Sequence, residues 1–149
     1  MIDGLGTRFE SDDASPGFML WRVTNRWQAL MRRTLAPFDL THVQFVLLAA
    51  LTWASDRHGV TQSELAQSVR VDTMMVSQVL RALEAKGLVE RRPDPADRRA
   101  RRVVATAAGV EAARAAVRAV EDADEAFFSE TSSKRQTLIE HLAGLDNAP

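Results

Sequence analysis

The chain has no cysteine, which excludes disulfides, thiolate zinc sites, cysteine nucleophiles and thiol redox sensing together. It has almost no net charge: 19 basic and 20 acidic residues give −1 at pH 7, so any hint of a nucleic-acid partner must come from clustering. Long hydrophobic runs are missing as well. The longest, Phe45 to Trp53 with Thr52 inside it, falls well short of the ~20 residues that cross a bilayer, and it reads as a buried helix. No membrane partner is expected, and without disulfide staples or a signal peptide the expected compartment is the cytoplasm.

Signatures of catalysis are also missing. His42, His58 and His141 are scattered, no His-x-x-x-His or carboxylate cluster has metal-ligand spacing, and there is no glycine-rich phosphate loop. The expectation is no enzyme, no metal and no cofactor.

What is present, at 149 residues and 46% hydrophobic, suffices for one packed domain. Residues 1–16, with Gly4, Gly6, Ser11, Asp12, Asp13 and Ser15 ahead of Pro16, read as a loose arm. From Phe18 to Ala36 the positions Phe18, Leu20, Trp21, Val23, Trp27, Leu30, Met31 and Leu35 recur mainly at three- and four-residue steps, an amphipathic helix ended by Pro37. Thr41-His-Val-Gln44 and Thr61-Gln-Ser-Glu64 each have capping-box spacing, and they open helices running to about Ala54 and about Ser68, with a polar turn over 55–59 between them.

Asp72 is a good N-cap for a helix reaching Lys86, and Gly87 supplies the left-handed residue that ends it. The periodicity predicts a buried stripe of Met75, Val76, Val79, Leu80 and Leu83, with Thr73, Met74, Ser77, Gln78 and Arg81 facing solvent. Leu88 to Arg92 alternates as a strand, Pro93 to Asp97 is a turn by composition, and Arg99 to Ala105 returns as the partner strand. Thr106 caps a long alanine-rich helix extending to about Ser129, and a last helix spans about Ser132 to Gly144.

Charge does cluster. Arg81, Lys86, Arg91, Arg92, Arg98, Arg99, Arg101 and Arg102 fall in one block, while Asp12, Asp13, Glu121, Asp122, Asp124, Glu125 and Glu130 lie outside it. A short helix, a tight turn and a polar-faced helix make a helix-turn-helix, whose second helix enters a major groove. There Gln78 offers a donor and an acceptor together, Arg81 reaches guanine or phosphate, Thr73 and Ser77 suit phosphate or base, and Met74 suits a thymine methyl. The hairpin carries Asp97, Arg98, Arg99 and Arg101 at and beside its tip, narrow enough for a minor groove, where arginine is favoured by negative potential. Asp97 is expected to hydrogen-bond and orient a neighbouring guanidinium. A merely solvated helix face and hairpin is the plain alternative, and the density of arginine over 98–102 argues against it.

At these residues the chain resembles the MarR family of bacterial transcription regulators. The likeness is carried by Leu40-Thr41-His-Val-Gln44-Phe45, Thr61-Gln-Ser-Glu-Leu-Ala66, Val76-Ser77-Gln78 through Gly87-Leu88-Val89, Asp97-Arg98-Arg99-Ala100 and Thr106-Ala-Ala-Gly109. By position Asp97 and Arg99 match the family's wing Asp-x-Arg, and Ser77 and Gln78 sit where its recognition helix often has Ser or Thr followed by Arg. Gln78 and the Met74-Met75 pair depart from that pattern, which bears on base preference. The resemblance implies a mainly α fold with a small β-hairpin wing, a winged helix-turn-helix flanked by N- and C-terminal dimerisation helices.

It further implies a homodimer in which the domain over 17–149 uses 17–36 and 106–146 to pair and 37–105 to bind double-stranded DNA. The target would be a palindromic operator with half-sites about 34 Å apart. The end segments support pairing independently, since their apolar surface exceeds what a small winged core covers. Family members often bind small, commonly aromatic or phenolic, ligands between the dimer helices and the DNA-binding lobe, which implies a small aromatic or anionic effector here, with Trp21, Trp27, Met31, Phe38 and Trp53 as candidate lining residues and Arg22, Arg26 or His42 as candidate anion partners. Each also reads as ordinary core or surface. The function expected is a ligand-responsive repressor. The alternative is a winged helix used for protein contact, which would need an apolar or acidic face on the 72–86 helix.

Overall fold

The computed structural model describes residues 4–54 and 58–149; Ser55 to Arg57, the first part of the turn expected at 55–59, and Met1 to Asp3 lie outside the described residues. Six α-helices and a small antiparallel sheet follow one another as α1 (Pro16–Leu35), α2 (His42–Trp53), β1 (Val60–Thr61), α3 (Gln62–Val69), α4 (Thr73–Ala85), β2 (Val89–Pro93), β3 (Arg101–Ala105), α5 (Ala107–Phe127) and α6 (Arg135–Asp146). Short 3-10 turns cover Asp12–Ala14, Ala36–Phe38 and Ser129–Lys134.

Local chemistry accounts for most helix ends. Thr41 and Thr61 each accept from the third helical amide while Gln44 and Glu64 reach back to the cap amide, so both capping boxes form. Asp72 accepts from the amides of Met74 and Met75, and Thr106 from that of Gly109. At the far end of α4, Gly87 takes φ 72° while its amide bonds to Glu84 and the Leu88 amide to Leu83, satisfying carbonyls the helix leaves open.

Met31 and Leu35 of α1, Leu47 and Leu48 of α2, Leu65 of α3, Val76, Leu80 and Leu83 of α4, Val103 of β3, and Ala113 and Ala116 of α5 meet in one core. Small alanines let α5 lie close against α1 and α2, so α5 completes the fold of its own chain. At its start Gly109 lies under the Leu88 carbonyl, in a space no side chain could share.

The structure departs from the sequence expectations at four places. The sheet has three strands, ordered β1-β3-β2, because Val60 and Thr61 pair with Val103 and Arg102 beside the foreseen hairpin. The N-terminal arm carries the Asp12–Ala14 turn, and Asp12 and Asp13 both pair with Arg22. The last helix starts later, at Arg135, since 129–134 winds as a 3-10 turn. Met75 is not in the buried stripe of α4: it is 49% exposed. At 100° per residue it sits at the edge of the arc centred on Val76, Leu80 and Leu83, beyond the reach of α3.

Candidate nucleic-acid interface

Helix α4 buries Val76, Leu80 and Leu83 and turns Thr73, Met74, Gln78 and Arg81 to solvent, with Ser77 half-buried beside them. By helical geometry the side chains expected to face DNA fall within an arc of about 140°. Met74 is 73% exposed, an unusual setting for a thioether. Asp72 caps this end of the helix, its Oδ1 2.8 Å from the Met74 amide.

The block of basic residues divides into two sets. Lys86 donates to the Asp39 carbonyl and to Gln44 Oε1 at 3.2 Å, tying the end of α4 to the start of α2. Arg91 pairs with Glu84 at 2.9 Å and Arg92 with Glu90 at 2.6 Å. Arg102 turns inward, with Nη1 2.7 Å from the Gly59 carbonyl and Nε 3.2 Å from Asp94 Oδ2. By contrast, among the described residues no carboxylate pairs with Arg81, Arg98, Arg99 or Arg101, and all of these are exposed. Within this block, among the described residues, the cations without a carboxylate partner are thus those on the solvent face of α4 and around the tip of the wing.

The wing's own carboxylates work differently from expectation. Asp97 does not hold a guanidinium: its Oδ1 accepts from the Arg99 backbone amide at 2.9 Å and its carbonyl from the Ala100 amide at 3.1 Å, which folds the tip. A side chain this short closes an Asx turn more readily than it reaches a charged group on the other side. The guanidinium partner is Asp94, expected from composition only as a turn residue. Its carboxylate is nearly buried, accepts from the Ala96 amide at 2.8 Å and faces Arg102. A Pro-Asp-Pro turn facing an arginine on the return strand was the available signal.

The Ala96 amide first, and Arg102 with it, hold the Asp94 carboxyl below the usual carboxylate range against the opposing effect of burial. A carboxyl whose pKa is depressed on folding stabilises above its unfolded value and loses that contribution as pH falls through the folded one. Asp94→Asn should therefore lower the denaturant midpoint at pH 7, and the gap to the parent should close as pH drops below about 4. Denaturation at several pH values checks this; a gap constant down to pH 3 would show the charge to be irrelevant.

Comparison with known proteins decides the family. Residues 40–100 match the MarR family. Over 134 residues, 89% of this chain and 90% of the relative, the sequence is 43% identical to the uncharacterized HTH-type transcriptional regulator YdcH of Bacillus subtilis (strain 168). The chain belongs to the MarR family. It is a DNA-binding transcriptional regulator of that family, which is a family of regulators and not of enzymes. It is also 31% identical over 132 residues, 89% of the chain and 93% of the relative, to the HTH-type transcriptional repressor Rv2887 of Mycobacterium tuberculosis.

Among solved structures, a mutant MarR from E. coli complexed with operator DNA superposes with a TM-score of 0.78 at 26% identity, over 89% of this chain and 93% of that one. CouR from Rhodococcus jostii RHA1, bound to p-coumaroyl-CoA, does so with a TM-score of 0.82 at 23% identity, over 94% and 97%.

In this MarR-family chain the residues singled out for an effector are not gathered in one place. Met31 is fully buried core, and Trp21 is exposed on α1. Trp27 donates to Asp124 Oδ1 at 2.7 Å and stacks edge-on against His42, whose pKa is pushed down by burial and by Arg32, with Asp124 opposing. Trp53, 80% exposed, edges a cleft of about 170 Å³ between α2 and α5, with Phe45, Val117 and Arg114 in its wall. Among the described residues, no single helix is long and apolar enough to cross a membrane.

Proposed function

We propose that this protein is a homodimeric, ligand-responsive repressor that acts in the cytoplasm and reads a palindromic operator. Helix α4 would read bases through Thr73, Met74, Ser77, Gln78 and Arg81, and the wing would grip the minor groove and backbone through Arg98, Arg99 and Arg101, with Asp97 shaping the tip. The observation that carries this reading is the partition of the basic block: within it, among the described residues, the arginines without a carboxylate partner are those on α4 and at the wing tip. Unpaired guanidinium groups on a polar face release counterions on meeting phosphates.

Pairing is supported by apolar surface that a lone chain leaves in water. Phe18, Leu20, Trp21 and Val23 of α1 are exposed, as are Ile139, Leu142 and Leu145 of α6, and α6 buries none of its residues. Such a surface on a chain of this size fits a symmetric partner. Repression is supported by the kinship with a named repressor, and an aromatic or anionic effector by CouR with its bound p-coumaroyl-CoA. The Trp53 cleft is where we place it, with Arg114, which an anion would draw from its 3.4 Å pairing with Glu111. An effector that prefers one lobe spacing would shift the dimer away from the operator-fitting form.

The test combines selection of duplexes from random DNA with light scattering. The expected results are a palindromic consensus and a mass twice 16.5 kDa. Gln78→Ala should change the preferred base at one position of each half-site by about 1–3 kcal/mol while random-sequence binding stays the same. Selection of no consensus, or a monomer bound to a single half-site, would overturn the reading.

A further inference from the structure

Resting on the DNA-binding reading above, we infer that Met74 and Met75 form an oxidation site, and that oxygen transfer to their thioethers by an oxidant of the hypochlorous acid class releases the protein from its operator. The chain holds no cysteine, so methionine sulfur is its most readily oxidised group. Its methionines are placed very unequally. Met31 is fully buried in the core, and Met19, 38% exposed on α1, has its Sδ 3.0 Å from Arg22 Nη2, away from the α4 face. Met74 and Met75, at 73% and 49% exposure, stand side by side in the first turn of α4, with their amides held by Asp72. Flexible, polarisable thioethers suit a surface that must adapt to what it binds.

The chemistry balances without a further reactant. The Sδ lone pair attacks the oxygen of HOCl, an S–O bond forms as the O–Cl bond breaks, chlorine leaves as chloride, and the hydroxyl proton goes to solvent. Sulfur is oxidised by two electrons and chlorine is reduced by two. The product is a sulfoxide, a polar group that accepts hydrogen bonds and donates none. On a face meant for thymine methyls, guanine O6 and N7 and phosphate oxygens, an acceptor meets acceptors and loses the apolar contact as well. The fold should not change, because neither side chain belongs to the core. A dithiol acting through methionine sulfoxide reductase returns the thioether, forming a disulfide and water.

The experiment uses the full-length protein and the duplex it selects from random DNA. After exposure to a few molar equivalents of hypochlorous acid, affinity should fall by about ten-fold or more. Reductases for both sulfoxide epimers, with dithiothreitol, should restore it. Met74→Leu/Met75→Leu should keep its own starting affinity after the same dose, read as the ratio of treated to untreated protein, whereas Met19→Leu should give no protection. Peptide mass spectrometry should find Met74 oxidised more slowly when operator is bound. Equal losses in parent and double variant, oxidation at both positions without loss of affinity, or equal rates with and without DNA would each overturn the proposal. If the untreated protein selects no duplex, the DNA-binding reading fails and takes this inference with it; the other outcomes sink this inference alone.

Discussion

Gly109→Ala is expected to destabilise the protein by about 3 kcal/mol or more, a sign opposite to the ordinary effect of that change in a helix. Alanine in place of an exposed helical glycine gains roughly 1 kcal/mol, because the backbone has less freedom to lose. At Gly109 a Cβ would lie 1.9 Å from the Leu88 carbonyl oxygen and 3.3 Å from Leu48 Cδ2. The oxygen is main chain, so relief means moving the entry to β2 or the start of α5. The same carbonyl accepts from the Thr106 amide at 3.0 Å, and the Thr106 hydroxyl donates to the Gly87 carbonyl at 2.6 Å, so either movement strains a bonded joint. Losing one such bond adds about 1 kcal/mol to the overpacking.

Two companions make the measurement decisive. Gly144, with nothing near its Cβ position, should gain about 0.5–1 kcal/mol on change to alanine. Gly87→Ala has space as well, but its φ of 72° should cost about 1 kcal/mol. Urea denaturation of the three variants should order them Gly144, Gly87, Gly109 from most to least stable. A Gly109 variant as stable as the parent would mean that α5 does not approach Leu88 so closely.

The same joint shows which parts of the fold were legible in the sequence. Thr106 as a cap, both capping boxes, Asp72 and Gly87 could be read because each device closes within a few residues, where side-chain chemistry and backbone geometry are set by spacing alone. The strand at Val60–Thr61 could not be read. It is too short to show a period, and it exists because β3, some forty residues on, offers it a free edge. The helix face was legible as a period, and its edge was not: Met75 falls where the arc of burial is decided by how far the neighbouring helix reaches.

The basic block was the hardest part to divide. Its clustering was visible, but which guanidinium groups would be spent internally depended on carboxylates brought close by the sheet. Arg92 and Arg102 stand directly opposite each other across β2 and β3, a repulsive arrangement unless each has its own anion. Glu90 and Asp94 supply those anions, and Arg102 gains the Gly59 carbonyl besides. Arg101 shares the Val103 face of β3 but stands at the strand's first position, where it stays exposed, whereas Arg102 on the other face is held by Asp94 and the Gly59 carbonyl, a distinction that composition cannot make.

That division predicts the largest effect on DNA binding. Arg99→Ala should weaken operator binding about ten-fold, as loss of a charge-assisted contact worth ~1.5–3 kcal/mol implies. Replacing Arg98, Arg99 and Arg101 together should cost about two orders of magnitude or more and flatten the slope of log affinity against log salt by about 2–3. Stability should hardly change, since none of these side chains is paired within the chain among the described residues. If the tip lies in a minor groove, preference for A·T pairs flanking the half-sites should vanish as well, because narrow A·T grooves attract arginine by their potential. Arg92→Ala is the matched control: it removes the same charge from the same hairpin, but one already answered by Glu90. Its expected loss is only a few-fold, through the carboxylate it leaves exposed. Titrations of all these proteins at several salt concentrations would separate the two sets, and equal losses for Arg92 and Arg99 would show that internal pairing does not determine which arginines reach DNA.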